Sequence, residues 1–465
     1  MAGKRFSAIA AAAGIATALA ALVLLGHRAG TTAHALPVYA ARSGRTCDNC
    51  HTDPTGWKNP DLPYRKCTLS CLGCHVNPTG GGMRTVSGRF FGQATLPMMF
   101  ASHRGYKDAS RHLTEYINFE SQRKNRLFEA HFWGPLGGSA TMSWDQGRYA
   151  GLKANPLLSF GIDARLALWN NEGRYLFFPM QLDTYVALHP VRHVTAYVNA
   201  GVLAKSKGFA ATFERRPPYM VKDAFLMVHE LPYMLYVRAG RFIPPFGTFL
   251  DDHTSPIRRQ VELDQGIQNS RVTGVEVGLA PNYPYFHLTL FRPNQRDDFA
   301  SGDAPFFGVS GWGAMIALGW RDLGWQLGVS GMTRTRELAD GGETRSLSLQ
   351  WAFNPWFYSD HLPLTLLGEV VIGRRQRPLS GAVTTHVAAY SELSFFPFNG
   401  VALRAKWDFS DADLELRADH FHRATFGADL ILLPGITITG NVRVQTSTSS
   451  GDALVDGIIM MHAWY

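Results

Sequence analysis

Ile436-Thr437-Ile438-Thr439-Gly440-Asn441-Val442-Arg443-Val444-Gln445 carries apolar side chains at every second position over most of its length. Ile436, Ile438, Val442 and Val444 fall on one face and Thr437, Thr439, Asn441, Arg443 and Gln445 on the other, because successive side chains of an extended chain point to opposite sides. Two more stretches repeat the pattern. Val194, Ala196, Val198, Ala200 and Val202 oppose Thr195, Tyr197 and Asn199; Phe160, Ile162, Ala164, Leu166 and Leu168 oppose Asp163 and Arg165. Runs of about eight to eleven residues exceed the usual soluble strand and suit a tilted strand crossing a bilayer.

What separates these strands points the same way. Short turns fall at Leu433-Pro434-Gly435, Pro397-Phe398-Asn399, Arg321-Asp322-Leu323, Pro281-Asn282-Tyr283-Pro284, Leu231-Pro232 and His189-Pro190-Val191-Arg192, with a wider one from Asn354 to Leu362. Longer connections lie between them, near 204–220, 243–270, 293–310, 335–344, 374–384 and 410–420. Short and long alternate, as in an outer-membrane barrel with tight periplasmic turns and longer external loops. The expected fold is all-β, a transmembrane antiparallel β-barrel spanning 113–465. The alternation gives about 18 strands from Leu127 onward, or 16 if the 127–146 hairpin is outside the wall.

Gly457, Ile459, Met461, Ala463 and Tyr465 form a last alternating row ending in an aromatic. Trp312, Trp320, Trp325, Trp351, Phe395, Phe396 and Trp464 suit aromatic girdles at the two interfaces. Glycine at 46 of 465 residues and 12% aromatics agree with many strands and tight turns, and 18% charged residues is below a soluble domain's share. A soluble sandwich or propeller is the competing reading, but no blade-length repeat occurs. The formal charge of +8 is not gathered into runs, so no nucleic-acid partner is expected.

Residues 1–35 read as an export signal: Lys4 and Arg5, an apolar stretch from Phe6 to Leu25, and small residues at Ala33-His34-Ala35. An uncleaved anchor helix is the alternative. All five cysteines lie in the following segment, 36–112. Four form Cys47-Asp48-Asn49-Cys50-His51 and Cys71-Leu72-Gly73-Cys74-His75, each the C-x-x-C-H attachment signature of c-type haem. Two thiols at that spacing reach the two vinyl groups of one porphyrin, and the adjacent histidine lies under the iron. Four thiolates on zinc, or a disulfide framework, also match the cysteine spacing, but neither needs a histidine after both pairs.

Residues 45–56 repeat loosely at 69–80, with a Pro-Thr-Gly turn after each motif, giving two haem-loop units and two covalent haems. Cys67 is left over. Met83, Met98, Met99, His103, His112 and His131 are the candidate distal ligands, with His103 and His112 favoured. His229 and His287 fall on strands and read as lumen side chains. In the 243–270 connection, expected outside, Asp251, Asp252 and His253 offer oxygen and imidazole donors for an external metal ion such as Fe²⁺. The bland reading of that turn is a solvated acidic loop.

An exported haem segment followed by a barrel resembles the outer-membrane cytochrome–porin fusions of iron-oxidising and metal-reducing bacteria. The resemblance rests on the signal, the motifs at 47–51 and 71–75, Gly88-Arg89-Phe90-Phe91-Gly92 and the barrel. Best-known members carry one haem motif, whereas this chain has two. It implies a haem segment plugging the lumen and passing electrons between an extracellular donor or acceptor, such as iron, and periplasmic c-type cytochromes. The rivals are a solute porin gated by its N-terminal segment and an exported dihaem peroxidase.

Overall fold

The computed structural model describes residues 71–73, 75–85 and 99, and 157–465 apart from stretches of the connecting segments. The export signal, the first C-x-x-C-H motif and the 127–146 hairpin lie outside the described residues. Among the described residues, no helix is long and apolar enough to cross a membrane.

Sixteen antiparallel strands close on themselves. In chain order they are β1 (Leu158–Asn171), β2 (Arg174–Val191), β3 (Val194–Leu203), β4 (Tyr219–Leu231), β5 (Leu235–Phe242), β6 (Val272–Leu279), β7 (Pro284–Pro293) and β8 (Gly313–Arg321). They continue as β9 (Trp325–Arg336), β10 (Gly342–Phe353), β11 (Leu364–Gln376), β12 (Val383–Phe398), β13 (Val401–Asp411), β14 (His420–Leu433), β15 (Ile436–Ser447) and β16 (Ala453–Trp464). Each pairs with its neighbours in sequence, and β1 pairs with β16 in a register set by Asp163↔Trp464. Tyr465 seals the seam: its N–H donates to Ile162 O at 2.9 Å and its carbonyl accepts from Ile162 N at 3.1 Å. The wall therefore has 16 strands rather than 18, because β16 meets β1 directly and leaves no edge for a further hairpin.

The side chains are inside-out relative to a soluble protein. Leu290 (60% exposed), Val442 (54%) and Ile459 (53%) look outward, while Arg238, Glu276, Glu369 and Asp408 have no exposed surface. Lipid accepts the outer row without penalty, whereas charges turned inward need partners. They have them. Arg238 Nη2 lies 2.9 Å from Glu276 Oε1, Arg423 Nη2 2.9 Å from Asp408 Oδ2, and Arg443 Nε 2.5 Å from Asp456 Oδ1. Lys222–Asp183 and Arg404–Asp429 pair likewise. Of the expected girdle, Trp312, Trp320 and Phe395 are outward. Phe396 turns inward onto Trp356, and Trp464 lies beneath the Arg84 guanidinium.

Val442 and Arg443 give a direct test of this parity. Val442→Arg puts a charge on the lipid face in the middle of β15 and is expected to destabilise the folded barrel by about 2–4 kcal/mol. Equilibrium urea unfolding in lipid vesicles reads it. An effect near zero would place that face away from hydrocarbon.

Long and short connections alternate as expected, with one exception in direction. The described residues of the connection after β5, from 243 to 263, do not project outward. They fold into the barrel and carry a short helix, α1 (Pro256–Gln260), that packs against β12 and β13.

Candidate functional site

Residues 71–85 fold into a compact loop against the inward face of the wall. A 3-10 turn at Cys71–Gly73 leads to His75, whose N–H donates to Cys71 O at 2.8 Å. The chain then doubles back: His75 bridges Arg84, and Val76 N donates to Met83 O at 3.0 Å. Gly80, Gly81 and Gly82 make the reversal at φ values of 93°, 75° and 60°, a left-handed run that glycine adopts without steric cost. Asn77 Oδ1 ties the turn by accepting from Thr79 N (3.2 Å) and Thr79 Oγ1 (2.9 Å).

Apolar packing and polar contacts connect this loop to the wall. Leu72, Val76 and Met83 are buried in one cluster with Tyr185 and Tyr197. Met83 is thereby committed to packing. Asn77 Oδ1 also accepts from Arg238 Nη1 at 2.8 Å. Arg238 continues to Glu276, which accepts from Tyr236 Oη at 2.6 Å and from Thr289 Oγ1 at 2.9 Å. Tyr236 Oη is also 2.9 Å from His287 Nδ1.

Tyr236, Gly278 and His287 sit opposite one another on β5, β6 and β7. A side chain at 278 would collide with the Tyr236 ring, so glycine there lets the tyrosine lie across β6 toward His287. His287 in turn packs between Tyr236 and Tyr285, with ring centroids 5.9 and 5.8 Å away.

Cys71 and His287 line a common cavity enclosing about 850 Å³ of space free of protein atoms, part of it open to solvent. Its apolar wall comes from Ile243, Pro244, Pro245, Phe246, Leu250 and Leu263 on the inward connection. Arg258 and Arg321 supply its cationic edge, Arg321 reaching 4.0 Å from Cys71 Sγ while lying over the Tyr285 ring at 4.3 Å. An apolar cleft with the Arg321 guanidinium at its edge suits a flat group such as haem, with an apolar ring and carboxylates on one rim; Arg258 is already paired with Glu369. His75 is half-buried and is not among the cavity-lining residues.

The other site expectations divide. Cys47, Cys50, His51, Cys67, Cys74, His103 and His112 lie outside the described residues, as do Asp251 and His253. Asp252 is inside the barrel, where Lys406 Nζ donates to its Oδ2 at 2.9 Å. Other described residues of the connection are held the same way. Arg258 pairs with Glu369, Thr248 N donates to Glu369 Oε2 at 3.0 Å, and Arg334 Nη2 donates to Val261 O at 3.2 Å. Among the described residues no group of three metal-ligating side chains converges. In the sequence Tyr236 and Glu276 are two strand positions among many, Arg258 falls in a connection expected outside and Arg321 in a short turn, so none of the four stands out.

No family model matches the chain, and no curated protein matches it. Among solved structures it is similar to a loop-deleted form of OmpT, an outer membrane protein of Vibrio cholerae, at 8% identity and a TM-score of 0.48, covering 66% of this chain and 99% of that one. It is also similar to an anion-selective porin from Comamonas acidovorans (10% identity, TM-score 0.47, 66% and 99%) and to OprB of Pseudomonas putida (8%, 0.47, 66% and 94%). The reading as a porin-like outer-membrane barrel stands on the closed ladder and on the inside-out placement of apolar and charged side chains.

Proposed function

We propose that this protein is an outer-membrane cytochrome–porin that moves electrons between an extracellular donor or acceptor, such as iron, and periplasmic c-type cytochromes. The observation that carries the reading is the packing of the second C-x-x-C-H loop inside a closed barrel, with Cys71 on the wall of an apolar-lined cavity. Covalent c-type haems at Cys47/Cys50 and at Cys71/Cys74 would supply one-electron redox centres there. The chain's own contributions are anchoring and insulation. Cys71 and Cys74 would hold the ring through thioethers, His75 would offer an imidazole to the iron, Arg321 would offset carboxylate charge, and the Pro244–Phe246 stretch would exclude water. Between the two aqueous faces the wall presents lipid with an apolar outer surface.

A second reading, a solute porin gated by its N-terminal segment, is favoured by the wall considered alone, since a 16-stranded barrel leaves room for an aqueous channel. One preparation separates the two. Protein extracted from the outer membrane should carry the mass of two haems, give a reduced-minus-oxidised c-type spectrum, and conduct ions poorly in a planar bilayer. Protein without haem that conducts freely would establish the gated porin instead.

A further inference from the structure

Beyond the attachment motif, we propose that His287 is the distal axial ligand of the haem held at Cys71 and Cys74, with Tyr236 as its positioning residue. This rests on the haem reading of the same cavity. The sequence places His287 among ordinary lumen side chains; its hydrogen bonds set it apart.

Tyr236 Oη donates its only proton to the Glu276 carboxylate. Its oxygen is then left to accept, and the partner 2.9 Å away is His287 Nδ1. The network thus assigns the imidazole proton to Nδ1. Nε2 keeps its lone pair, and it is the ring nitrogen left for the cavity that His287 lines with Cys71. This is the arrangement of metal-binding histidines: one nitrogen donating to an oxygen that fixes tautomer and ring orientation, the other presented as ligand. Glu276 is itself held by Arg238 and Thr289, so the imidazole is backed by a buried carboxylate with partners of its own.

Met83 does not compete for the role, because it is packed into the apolar cluster with Tyr185 and Tyr197. The geometry also connects cavity and loop. Arg238 contacts Glu276 on one side and Asn77 of the haem-motif loop on the other, so seating the loop and orienting His287 share one guanidinium.

The test uses full-length protein from the outer membrane, comparing wild type, His287→Ala and His287→Gln by intact mass, visible spectrum and carbon monoxide binding. Wild type should carry two haems, both low-spin and inert to carbon monoxide. Both variants should retain two haems by mass while half of the total haem becomes high-spin and binds carbon monoxide; added imidazole should restore the low-spin form of His287→Ala. Tyr236→Phe should stay low-spin but raise one reduction potential, since a histidine without its acceptor is a weaker donor to ferric iron. Two haems with an unchanged spectrum in both variants would overturn the ligand assignment and leave the haem reading intact. Wild-type protein without covalent haem would overturn both. If His287→Ala does not assemble, His287→Gln decides, because its amide can keep the bond to Tyr236.

Discussion

Vesicles containing the Cys71→Ser/Cys74→Ser variant are expected to pass electrons from an external reductant to an enclosed acceptor no faster than protein-free vesicles. The variant itself should insert and resist heat in detergent like wild type. The first half follows from the proposed relay. The apolar band of such a barrel is about 25 Å tall, and a chain of two carriers that loses one is broken rather than slowed. Covalent attachment matters here because residues 36–112 are too few to build a robust core around a loosely held group. The second half follows from the wall. Its 16 strands close through β1 and β16 by a backbone ladder of their own, so removing two thiols leaves that ladder untouched. Transfer persisting at the wild-type rate with one haem absent by mass would defeat the conduit.

Much of this wall is legible in the sequence, because strand parity and turn chemistry are local. Asp163 and Arg165 read as inward and Ile162 and Leu168 as outward from alternation alone, and they are so. Strand number is not local. The 127–146 stretch alternates as convincingly as its neighbours, but closure depends on whether the first and last strands find each other, which Ile162 and Tyr465 decide across the seam. Loop direction is equally non-local. Pro244-Pro245-Phe246-Gly247 and Arg258 would suit an external loop. What draws them inward is Glu369, 111 residues from Arg258 along the chain. The cavity is harder still to read in advance. Tyr236, Glu276 and His287 each appear as one polar residue on an alternating strand, and only the registers Tyr236↔Gly278 and Gly278↔His287 bring the rings to one level.

Glu369→Ala is expected to release the inward connection and raise ion conductance several-fold. Glu369 has no exposed surface and holds three donors: Arg258 and Ser348 Oγ (2.7 Å) on Oε1, and Thr248 N (3.0 Å) on Oε2. Cutting it back to alanine leaves the Arg258 charge buried without its carboxylate, a loss of about 3–5 kcal/mol. It also leaves the Thr248 N–H without its acceptor. The folded barrel can avoid most of that cost by letting residues 243–263 swing away, since the strands themselves are joined independently of this loop. The expected signature is therefore a conductance change larger than the change in thermal stability. Arg258→Leu/Glu369→Leu supplies the control. Replacing both partners of a buried pair with apolar groups is often neutral, so the double variant should return toward wild-type conductance while lacking the charges. If Glu369→Ala conducts as wild type does, the remaining ties suffice to hold the loop: Lys406 to Asp252 and Arg334 to Val261 O. The Arg258–Glu369 pair would then be a local contact and not the latch of the lumen.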